Sequence, residues 1–156
     1  MLGPYERHPL LETATVDPPA APLEAYRSIV MPLGVERAVI VQPSMYRYDN
    51  RATLEAVATL GDAARAVVVV PPDVGEAELA ALHRAGARGV RLQRVAAGGL
   101  GLEHLEEIAA RVAPFGWHLQ LWIDAREIPD LLPRLHRLAV PLVFDHAAQI
   151  RADSGA

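Results

Sequence analysis

Cysteine is absent from the 156 residues, so the chain forms neither a disulfide nor a thiolate metal site. Aromatic residues are scarce, at 5%, and no run of them interleaves with basic residues as in a nucleic-acid-binding strip. Neither sign of charge dominates. The 15 Lys and Arg face 19 Asp and Glu, a formal net charge of −4 that gives no electrostatic footprint for nucleic acid. Long hydrophobic runs are missing too: the longest, Ala66 to Pro72, falls far short of the ~20 residues a helix needs to cross a bilayer. The opening Met1-Leu2-Gly3-Pro4-Tyr5-Glu6-Arg7 lacks the charged-then-apolar order of a signal peptide. These absences predict a cytoplasmic protein that engages neither nucleic acid nor membrane.

What the chain does contain is a repeat of short apolar runs separated by helical periodicity. Strands are predicted to begin near residues 37, 66, 89, 118 and 140. Between them, Leu54, Val57, Ala58 and Leu60 mark one helix, entered from Asp49 or Asn50 as a cap. Glu76 to Ala85 marks a second, with Asp73 and Glu76 spaced as a capping box and Gly86 as the stop. Leu102, Leu105, Ile108, Ala109 and Val112 mark a third, and Leu132, Leu135 and Leu138 a fourth that begins near Pro129. Leu23 to Met31 reads as a short leading helix ended by Pro32 and Gly34. Residues 1–22, rich in proline, are expected to form an irregular arm, and residues 147–156 a frayed tail on a single domain.

A βα repeat calls for right-handed crossovers onto a parallel sheet. Two architectures satisfy it at this length. One is a doubly wound open parallel sheet; the other is part of an eight-stranded barrel, which normally needs ~250 residues. Either one collects its chemistry at the carboxyl ends of the strands. The polar groups found there are Gln42 and Ser44, Asp73, Arg91 and Gln93, Asp124, and Asp145 with His146. Of the six histidines, His83, His104 and His136 fall on helices and read as surface residues. His8 falls in the arm and His118 at the start of a strand, which leaves His146 as the one at a catalytic strand end.

Several strings, in order, carry a resemblance. Gly34 to Ser44, followed by Asp49-Asn50, is similar to the second strand of the amidohydrolase superfamily, in the branch that contains 2-pyrone-4,6-dicarboxylate lactonase. Gly86-Ala87-Arg88-Gly89-Val90-Arg91-Leu92 resembles the fourth strand of that branch, Gly116 to Trp122 the fifth, and Val140 to His146 the sixth. The resemblance implies a partial TIM (β/α) barrel of about five parallel strands. It also implies truncation at both ends: Leu2-Gly3-Pro4 looks like the turn that follows the family's His-x-His pair, and the family's general-base aspartate lies beyond the sixth strand.

By the same resemblance, His146 would be catalytic and Arg91 would bind a substrate carboxylate through its forked donors. The plainer role for Arg91 is a salt bridge, to Asp73 or Asp124. Ser44 would offer a substrate hydrogen bond, and Trp122 an aromatic wall where lactonases carry tyrosine. The family's second carboxylate-binding arginine falls where this chain has Ala96-Ala97-Gly98, which argues against the pyrone dicarboxylate itself. No metal and no cofactor are expected, since one well-placed histidine falls short of the three ligands of a hydrolytic zinc site. The glycines of 98–101 do not make a dinucleotide fingerprint.

The implied activity is hydrolysis of a lactone or ester of a small carboxylated substrate, weak or absent in this chain by itself. The rival reading is a non-catalytic oligomerising or ligand-binding domain, because an interrupted barrel exposes two sheet edges and invites homo-oligomers. A superfamily decarboxylase is a third.

Overall fold

Apolar runs flanked by glycine and proline become the strands, and the amphipathic stretches between them fold back as helices. The computed structural model describes residues 3–12, 14, 18–93 and 100–150. The elements are α1 (Leu23–Val30), β1 (Ala38–Val41), α2 (Arg51–Leu60), β2 (Ala64–Val68), α3 (Glu76–Arg84), β3 (Ala87–Gln93), α4 (Leu105–Val112), β4 (His118–Trp122), α5 (Ile128–Leu135) and β5 (Leu142–Phe144). The five strands are parallel and lie in the order β1-β2-β3-β4-β5. A strictly sequential order has no reversal point, so the doubly wound sheet is excluded and the sheet is a half-barrel.

Alternation along the strands separates two faces. Ile40, Ala66, Val68, Val90, Leu92, Leu119, Leu121 and Ile123 face the helices and form the core with Val57, Leu79, Leu105, Ile108 and Val112. Burying each large aliphatic side chain contributes roughly 1.5–3 kcal/mol. The opposite face carries Gly89, Arg91 and Gln93 on β3, in register with His118, Gln120 and Trp122 on β4. Gly89 leaves room for its neighbour: a Cβ there would lie 2.5 Å from the His118 ring.

The helix α4 stripe is buried as predicted. Two other helices rotate. In α2 the buried residues are Ala52, Thr53, Ala56 and Val57, with Leu54 and Leu60 partly buried and Ala58 exposed. In α5 they are Leu131 and Leu135, and Leu132 is exposed. Small residues pack α2 close against the sheet, a signal that a search for large apolar residues overlooks. The Asp73 capping box does not form, because Gly75 occupies the N-cap of α3 and no side chain caps it.

Asn50 also departs from expectation. Its side chain does not cap α2; it donates to the Val69 carbonyl at 2.8 Å and accepts from the Val69 N–H at 3.0 Å. Asp49 instead accepts from the Arg51 N–H at 3.2 Å. The arm docks on the same region, through Gly3 N–H to the Tyr46 hydroxyl (2.8 Å) and Leu11 N–H to the Met45 carbonyl (3.1 Å). His8, buried in that arm, pairs with Glu55 at 3.0 Å. His83 is not a free surface residue: it stacks on Trp117 and accepts its indole N–H at 2.9 Å.

Because Asn50 satisfies both backbone groups of Val69 in a buried setting, Asn50→Ala should cost about 2–3 kcal/mol. Urea unfolding should show this as a lower midpoint at an unchanged slope.

Candidate functional site

Only some of the strand-end polar groups meet. Gln42 turns toward the helices, where it accepts from the Thr53 hydroxyl at 2.6 Å and donates to the Asp49 carbonyl at 2.8 Å. Asp73 is exposed, and Asp124 binds Arg126 at the start of its own turn. Ser44 opens the turn after β1 and is half-buried. Among the described residues its hydroxyl makes no hydrogen bond to Arg91, Trp122 or His146.

The convergence lies on β3, β4 and the end of β5. Arg91 is 7% exposed, and its Nε and Nη2 both donate to Asp145 Oδ2, at 2.9 and 2.6 Å. The salt bridge expected of Arg91 thus exists, but with Asp145 in place of Asp73 or Asp124. The guanidinium also lies over the Trp122 ring, 4.7 Å from its centroid. Nη1 reaches only the Gln42 carbonyl, at 3.4 Å, a long contact. His146 packs against the other partner of this wall, its ring centroid 5.5 Å from that of Trp122. Its Nε2 is 3.7 Å from Asp145 Oδ1.

Arg91, Trp122, Asp145 and His146 therefore form one connected group, with buried Gln120 beside Arg91 in register on β4. Burial raises the pKa of Asp145, but the neighbouring Gln120 amide and the Arg91 charge outweigh it, and the carboxyl titrates below its ordinary range. Gln120 was not singled out from the sequence. The signal that could have found it is alternation: it sits one period from Trp122 and directly beside Arg91.

His146 owes its position to unusual backbone. Residues His146, Ala147, Ala148 and Gln149 all have φ between 50 and 54°. A left-handed turn without glycine costs of order 1–2 kcal/mol per residue, which the surroundings must offset. Buried Ala148 anchors the turn. The tail expected to fray from Ala147 is therefore placed as far as Ile150; residues 151–156 lie outside the described residues. So do Arg94 and the Ala96-to-Gly99 part of the glycine-rich loop. Among the described residues, no three His, Asp or Glu side chains stand close enough to hold a metal ion, and no helix is long and apolar enough to cross a membrane.

Comparison with known proteins finds a matching family and several relatives. The model of the family described as Amidohydrolase matches residues 2–156. The 4-sulfomuconolactone hydrolase of Hydrogenophaga intermedia is 30% identical over 99% of this chain and 52% of its own length. The 2-pyrone-4,6-dicarboxylate hydrolase of Comamonas testosteroni is 38% identical over 73% of this chain and 38% of its own. An apo crystal structure from Agrobacterium tumefaciens superposes with a TM-score of 0.88 at 31% identity, covering 99% of this chain and 58% of that one. The chain spans about half the length of the curated relative it matches throughout.

The Arg91–Asp145 pair sets a pH dependence. A depressed carboxyl pKa stabilises fully above the unfolded-state value of ~3.9, and that stability is lost as pH falls through the lower folded-state value. Asp145→Asn should therefore cost about 3 kcal/mol near neutral pH, because Arg91 stays buried beside an uncharged group. The difference from wild type should be flat between about pH 5 and 8 and shrink below about pH 4 in urea unfolding.

Proposed function

The chain belongs to the amidohydrolase family, and from that premise we propose that it carries the carboxylate-binding wall of a hydrolase that opens lactones or esters of small carboxylated substrates. The observation that supports this most is the buried Arg91 guanidinium at a strand end, pressed on Trp122 and sharing Asp145 with His146. Two of its donors serve a single Asp145 oxygen, and Nη1 has only a long contact. A substrate carboxylate would complete the fork.

In this reading Arg91 neutralises the substrate carboxylate and fixes its position. Trp122 supplies a flat apolar wall for the ring. His146, exposed and 3.7 Å from Asp145, donates a proton or hydrogen bond to the ester carbonyl as negative charge develops on it. The family resemblance also assigns a His-x-His pair and a water-activating aspartate to this chemistry. The sequence contains no His-x-His, and the resemblance places the aspartate beyond the sixth strand. On this reading the complete catalytic set requires further polypeptide, and the 156 residues alone should turn over slowly or not at all.

A second reading has its own observation. Among the described residues β1 and β5 each pair on one side only, and Val39, Val143 and Phe144 are exposed at those edges. Unpaired parallel edges with apolar side chains favour self-association. A domain that oligomerises through them need not be catalytic.

The hydrolase reading is tested by assaying lactone hydrolysis on the protein extended with the sequence that flanks it in its gene. Arg91→Ala should raise KM about 100-fold, the loss of one charge-assisted contact. His146→Ala should lower kcat by about 100-fold or more. An inactive extended protein, or an active one indifferent to both changes, contradicts the proposal. For the second reading, light scattering on the 156-residue chain should give the mass of two or more chains, and a stable monomer would contradict it.

A further inference from the structure

Gln93 is 4% exposed, yet among the described residues neither its Oε1 nor its Nε2 has a hydrogen-bond partner. A buried carboxamide left unpaired on both atoms is costly, and native interiors rarely keep one without a reason. Trp122 Nε1 is in the same condition. The two residues are direct register partners across β3 and β4. Leu92 faces the helical core, so alternation puts Gln93 on the same face as Arg91. Three unfulfilled groups thus stand together: an indole N–H, an amide N–H, and an amide oxygen that needs a donor.

The combination is selective. Arg91 and Trp122 Nε1 only donate, and they suit a carboxylate or a carbonyl. Gln93 both donates and accepts. A planar unsaturated lactone acid without hydroxyls would satisfy Nε2 and leave Oε1 orphaned. A hydroxyl next to the carboxylate satisfies both, its oxygen accepting from Nε2 and its O–H donating to Oε1.

We propose that Gln93 is a specificity-determining residue that reads a hydroxyl adjacent to the substrate carboxylate, so that the natural ligand is a hydroxy-carboxylic acid or its lactone. The proposal rests on the carboxylate-site reading of Arg91. It adds the prediction that the unpaired amide is retained for ligand recognition at the expense of stability.

Citrate and tricarballylate differ only by the hydroxyl beside the central carboxylate, and they form the probe pair. Isothermal titration of the 156-residue chain should give citrate about tenfold tighter binding. In Gln93→Leu that ratio should fall to about one, through loss of citrate affinity with tricarballylate unchanged. The same variant should unfold at an equal or higher urea midpoint, because an apolar side chain of similar size replaces an unpaired amide. Gln93→Met provides a second variant with the same expectation.

A wild-type ratio of one, a ratio that survives both substitutions, or a marked drop in midpoint for both overturns the assignment of Gln93. If tricarballylate binds wild type and is lost in Arg91→Ala while the ratio ignores Gln93, this inference alone fails. If neither acid binds wild type, the carboxylate-site reading fails and takes this one with it.

Discussion

The ion pair of Arg91 with Asp145 is the constraint on which the rest of the candidate site depends. It joins the middle strand of the half-barrel to the end of its last strand, 54 residues further along the chain. Arg91 is held over Trp122 by that pair, and Trp122 in turn supports His146. A buried ion pair is weak evidence for stability, since a well-packed apolar replacement often serves as well. Its retention on the face opposite the helical core fits a surface kept polar for a ligand. The left-handed turn at 146–149 points the same way, because strained backbone persists where the surroundings over-determine it.

Most of the fold was legible in the sequence. Alternating apolar runs and helical stripes located all five strands to within about two residues, and the α4 stripe residue by residue. The choice between barrel and open sheet was beyond periodicity, because both share the βα repeat. It was carried by specific strings and then decided by strand order. The helix faces of α2 and α5 differ from the periodic reading, in α2 because Ala52, Thr53 and Ala56 have little hydrophobic signal and are buried.

The candidate site was half legible. Arg91, Trp122 and His146 come together, while Ser44 makes no hydrogen bond to them. The partner of Arg91 was misassigned, because sequence distance says nothing about which carboxylate a curved sheet returns to a given strand. Gln120 went unnoticed, since a glutamine inside an apolar strand resembles a tolerated polar residue until its register neighbour is known. Asn50 shows the same limit from the other side. Its position before a helix suggests a cap, but tertiary structure offers it two unpaired groups on Val69, and these win.

The central claim is that Arg91 is the anion-binding group of this face, and the side-chain signal of Arg91 itself reports on it most directly. In a nitrogen-15-labelled chain, the Nε–Hε resonance of Arg91 is identified by its disappearance in Arg91→Lys. Titration with tricarballylate should move that resonance in a saturable manner, with the indole signal of Trp122 moving alongside it. An Arg91 resonance that stays fixed while other arginines shift would place anion binding elsewhere and contradict the account.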